Sequence, residues 1–142
     1  MPVDRNTTLV SLVRNRRGNA VVEMALMLPL LLLIVFGITE FGRAWMAVNV
    51  MHTATREGVR LAVVSSGASD SSSIKGRVVQ IMDAAHLDAQ ADDVTITWPG
   101  NDPERKVKVE LVHDFTVLSG KVLDMFQGTV QLTAQTTMRQ EF

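Results

Sequence analysis

Between Asn19 and Thr39 the chain carries one charged side chain, Glu23, and residues 24–38 form a nearly unbroken apolar run. That window matches the ~20 residues a helix needs to cross the hydrocarbon core of a bilayer. The bland alternative is a soluble core helix, against which the stretch Leu-Pro-Leu-Leu-Leu-Leu-Ile-Val-Phe argues by being apolar around the whole helix, with no polar face. Four arginines (Arg5, Arg14, Arg16 and Arg17) precede the run, and the positive-inside rule then keeps the N-terminus cytoplasmic and places the residues after Glu40 outside the cytoplasm. Any fold must be arranged around this segment.

The chain has 142 residues, enough for one small domain plus an appendage. Its formal charge of −1 is a composite. The first 18 residues hold four arginines and one aspartate, so the remainder has ten basic and fourteen acidic residues. An acidic body excludes nucleic acid as the expected partner, because phosphate binding needs a concentrated basic face. With no cysteine, disulfides, thiolate nucleophiles and cysteine-based metal sites are excluded.

Three residues give the run more meaning than a simple anchor. Pro29 removes the hydrogen bond to the Ala25 carbonyl and is expected to kink or loosen the helix. Glu23 near the cytoplasmic end is a costly charge in lipid, about 2.5–3.5 kcal/mol at a helix centre and less toward the interface. A cut after Gly18 would give Asn19 a charged amine one helical turn from Glu23, able to pair with it. The amine of a neighbouring subunit could pair with Glu23 in the same way. Cleavage would then switch on assembly.

The order Arg16-Arg17-Gly18-Asn-Ala-Val-Val-Glu23-Met-Ala-Leu-Met-Leu-Pro29 resembles the class III signal of type IV prepilins. It is closer still to the TadE-like pseudopilins of tight-adherence (Tad, or Flp) pili. The stretches Gly37-Ile-Thr-Glu40-Phe-Gly42-Arg43 and Ala54-Thr-Arg56-Glu-Gly-Val-Arg60 are similar to that family's second part, so the resemblance covers about residues 14–64. One departure is Met24, where an aromatic residue often follows the glutamate. The resemblance implies a non-enzymatic minor pilin or pseudopilin without cofactors. It would be cleaved after Gly18 by a prepilin peptidase that reads Arg16, Arg17, Gly18 and Asn19, with Glu23 and Pro29 serving subunit assembly. The implied partners are the bacterial inner membrane, the inner-membrane assembly platform, a TadF-like subunit and the major Flp pilin. The rival reading is an uncleaved bitopic membrane protein whose outer domain binds a ligand or partner. Simple secretion is weighed because Gly42-Arg43-Ala44 puts small residues where signal peptidase favours them, but Glu40 and Arg43 are poorly placed for it.

Past the membrane, Ala44, Ala47, Val48, Met51, Ala54, Thr55, Gly58 and Ala62 recur at three- and four-residue spacing. Asn49, Thr53, Arg56, Glu57 and Arg60 take the other side, which predicts an amphipathic continuation to about Val64. One helix over 19–64 would extend about 70 Å, more than a small core requires. Residues 65–73, rich in serine, read as a linker ending in a helix N-cap. Ile74, Val78, Ile81, Met82 and Ala85 then predict a short second helix. Alternation predicts three strands: one with Val94, Ile96 and Trp98 on one face, one with Val107, Val109, Leu111 and Phe115, and one with Val130, Leu132, Ala134 and Met138. Pro99-Gly100-Asn101-Asp102-Pro103 is a turn favouring an antiparallel hairpin, and residues 118–126 suggest a helical turn closed by Gly128. The expected class is α+β and pilin-like, with a leader over 1–18, a long helix over 19–64 (19–39 transmembrane, 40–64 amphipathic), and a body over 74–142 with a short helix and a three- or four-stranded antiparallel sheet.

His52, His86 and His113 show no ligand spacing, and no phosphate loop or nucleophile elbow is present. Asp88, Asp92 and Asp93 offer oxygens for calcium but lack the spacing and glycine of a calcium loop, so acidic loop residues are the expectation. Trp98 is expected in the core or at an interface. Arg56 and Arg60 are candidates for pairing with acids on a bundled neighbour.

Overall fold

The computed structural model describes residues 16–65, 70–98, 100, 105–117 and 128–140. The leader up to residue 15, the suggested helical turn at 118–126 and most of the turn at 99–103 lie outside them. Helix α1 runs Arg16–Val64, continuous through Pro29. Helix α2 spans Ser71–Ala84, and a 3₁₀ turn at Ala91–Asp93 leads into strand β1, Val94–Thr97. Strands β2, Lys106–Thr116, and β3, Thr129–Arg139, complete an antiparallel sheet of order β1-β2-β3. The expected α+β architecture is therefore present, with three strands among the described residues.

The chain divides into two compact units, Met1–Thr39 and Glu40–Phe142. In the first, no side chain from Gly18 to Thr39 is buried. In the second, Ala47, Met51, Ala54, Thr55, Gly58 and Ala62 of α1 are buried, on the face expected from their spacing, and Val59 is buried one step off it. Met51, Ala54, Val59 and Ala62 share one core with Ile74, Val78 and Met82 of α2 and with Val94, Val107, Val109, Leu111 and Ala134 of the sheet. Alternate strand residues such as Thr95, Glu110, Gln135 and Thr137 remain exposed or half-buried, so the sheet has one covered face and one wet face, as period-two alternation dictates. Trp98 packs half-buried against this core. The expected inward set on β3 is only partly enclosed. Ala134 is buried, opposite Leu111, but Val130 and Met138 are exposed near the ends of this edge strand.

Two local features fix how closely these layers meet. A β-carbon at Gly58 would stand 2.7 Å from Val78 Cγ2 and 3.5 Å from Val109 Cγ1, so the bare glycine lets α1, α2 and β2 converge. The buried Thr55 hydroxyl lies 2.9 Å from the Thr136 hydroxyl and donates to the His52 carbonyl, so the polar group in this core is satisfied from both helix and sheet. Helix α2 starts at Ser71, three residues before the apolar pattern does, because its first turn is polar and exposed or half-buried. It ends in a Schellman arrangement. The His86 amide donates to the Asp83 carbonyl and the Leu87 amide to the Met82 carbonyl, with His86 left-handed at φ 59° where glycine is usual.

Candidate processing and assembly segment

In the first unit, Gly18, Asn19, Glu23 and Pro29 all lie within α1 and are exposed. The backbone of Arg16 and Arg17 belongs to the same helix. Nothing among the described residues calls for a glycine at 18, since an added β-carbon there meets no atom within 4 Å. Glycine costs a helix interior about 1 kcal/mol relative to alanine, and packing returns nothing for it here. Glu23 makes no ion pair or hydrogen bond among the described residues. A carboxylate on an apolar helix, without a partner among the described residues, is equipped to take one from another chain.

The second unit opens with an ion pair along α1, Glu40 to Arg43 at 2.8 Å. The Arg43 guanidinium also stands 5.2 Å from the centroid of the Phe115 ring, a cation–π contact joining the start of this unit to the end of β2. Sequence reading missed this role for Arg43, because its ring partner lies far along the chain and no local pattern connects the two. Phe41 and Trp45 stack one turn apart, ring centroids 6.2 Å from each other, and both are largely exposed. Sequence reading did not single out this pair either, although its (i, i+4) spacing is the signal that could have found it.

Residues 18–60 match the family model of the TadE-like proteins. The resemblance carried by the glycine, the glutamate, the proline and both arginine-bearing stretches is borne out over this segment. No curated protein and no solved structure matches the chain. The TadE-like segment begins at Gly18 and ends at Arg60, so it takes in the apolar stretch and the core-facing part of α1 and leaves out α2 and the sheet. It contains one stretch long and apolar enough to cross a membrane, none of it buried, as expected of a single-pass membrane protein rather than of a core helix.

At the far end of the TadE-like segment, Arg60 pairs with Glu57 of its own helix at 3.4 Å, while Arg56 is exposed and unpaired among the described residues. Elsewhere, a cavity of about 550 Å³ is lined by Arg43, His86, Asp88, Asp93, His113 and Asp114 among others. Among the described residues no three histidine or acidic side chains gather as a metal site. Asp93 instead accepts the Gln90 amide at 2.8 Å in a capping box, the local work expected of an acidic loop residue.

Proposed function

We propose that this chain is a minor pilin or pseudopilin of a Tad pilus system, non-enzymatic and processed by a prepilin peptidase after Gly18. Cleavage removes the basic leader read through Arg16 and Arg17 and leaves Asn19 with a free amine. Residues 19–39 hold the mature protein in the inner membrane, with residues 40–142 on the extracytoplasmic side. Glu23 then pairs with the amine of a neighbouring subunit, of which a TadF-like protein and the major Flp pilin are the foremost candidates, and Pro29 adapts the helix to lateral packing. Arg56 and Arg60 add contacts to acids of bundled subunits. The body primes, caps or stabilises the pilus on its assembly platform.

The observation that carries this reading is the TadE-like match starting at Gly18, a glycine with no packing role, five residues before a carboxylate with no partner in the described chain. N-terminal sequencing of the mature protein tests it. A start at Asn19 is expected. An intact N-terminus would favour the uncleaved bitopic receptor, and a start at Trp45 would favour simple secretion. The receptor reading has the 550 Å³ cavity as its specific support, but that lining is rich in charge where small-molecule sites are mostly apolar. In the Gly18→Glu variant the mass should stay that of the precursor. Glu23→Ala should be cleaved normally and largely lose pilus production, and normal piliation would remove the charge-pair mechanism.

A further inference from the structure

We infer that Phe41 and Trp45 form an interfacial anchor that lies in the phospholipid headgroup layer and fixes how deeply the helix sits. The inference rests on residues 19–39 spanning the membrane and goes beyond it by assigning a lipid contact to the start of the second unit. Phe41, Trp45 and Met46 are 70%, 62% and 58% exposed, and the first two stack as an apolar pair immediately after Glu40. At 100° per residue, Arg43 lies about 200° around the helix from both Phe41 and Trp45. Its contact with Phe115 marks the side that faces the sheet, so the aromatic pair stands on the opposite side.

Depth is set by helix geometry. Trp45 is five residues beyond Glu40, a rise of about 7.5 Å. Helical side chains lean back toward the N-terminus, and the stack on Phe41 shows the Trp45 ring doing so. The ring therefore returns toward the level of residue 41, within a headgroup layer roughly 5–7 Å thick on each side of the hydrocarbon. Amphipathic aromatic rings favour that layer, and the Glu40–Arg43 pair supplies charges suited to it. Trp45 and Met46 also edge an apolar groove of about 570 Å³ with Ile81, Ala84 and Ala85. A protein occupant of that groove is the competing way to cover them.

The full chain reconstituted in phosphatidylethanolamine–phosphatidylglycerol vesicles provides the test. In Trp98→Phe, Trp45 is the sole tryptophan, and its fluorescence is read against lipids carrying a quencher near the headgroup, lipids quenched deep in the acyl chain, and aqueous iodide. Fluorine NMR of the unaltered chain with 5-fluorotryptophan gives the same contrast without the substitution. Stronger quenching by the shallow label than by the deep one, with little effect of iodide, is expected. Quenching by iodide alone would place Trp45 in water, and shielding from all three would mean a protein cover; either overturns the anchor. Leu31→Trp, in a Trp45→Phe/Trp98→Phe background, is the depth control. If the deep label fails to quench it, the spanning reading itself fails. If it is quenched while Trp45 is not, only the anchor is lost.

Discussion

Every leucine from Leu26 to Leu33 in the first unit's part of α1 is exposed, whereas Ala47, Met51, Ala54, Val59 and Ala62 in the second unit's part are completely buried. Both stretches are apolar and both are helical. Large residues surround the first on all sides, so no single neighbour could cover it, and its surface suits a solvent of lipid chains. In the second, small residues repeat every three or four positions, and α2 and β2 approach closely enough to exclude water. Apolar content alone does not say where a helix lives; the size and spacing of its side chains do.

The sharpest way to break this contrast is to make one truncation in each half of the molecule. Leu111→Ala empties a fully buried site and should cost about 2–5 kcal/mol, read by urea unfolding of the full chain in detergent micelles through tryptophan fluorescence. Leu31→Ala, at a 58% exposed position, should stay within about 0.5 kcal/mol of the parent. Equal losses would mean that the first unit helps to build the core. Gly58→Ala comes next. Its methyl would meet Val78 at 2.7 Å, and overpacking of about 1–3 kcal/mol outweighs the helix propensity gain of about 1 kcal/mol. A net loss of about 1 kcal/mol is expected from the same unfolding curve, whereas Gly18→Ala should show none. The smallest effect runs the other way. His86→Gly relieves a left-handed histidine at the end of α2 and should raise stability by about 0.5–1 kcal/mol. A drop instead would mean that the imidazole has a role beside the cavity it lines.

Much of the fold was legible because its signals are local. The apolar run, the (i, i+4) stripe from Ala47 to Ala62 and the alternation of Val107, Val109 and Leu111 each state their own geometry within a few residues. The TadE-like segment was legible for a different reason: its glycine, glutamate and proline follow in order along one helix, and the family match covers all three. Val59 was missed because it lies one step off the stripe, and only the arrival of neighbours on that side buries it. Val130 and Met138 were assigned inward by alternation, which gives the face of a strand but not how far its cover extends.

By itself the sequence determined which segments are helix or strand, which faces are apolar and where one charge interrupts the membrane-length run, because these depend on covalent order and residue size. Tertiary structure alone decided that Thr55 would meet Thr136, that Gly58 would be the point where three elements touch, and that Arg43 would cap the ring of Phe115. Each of those contacts joins separate elements of the fold, and the two threonines stand 81 positions apart in the chain. No local propensity encodes them; they arise from how closely packed layers can approach once their apolar faces leave water.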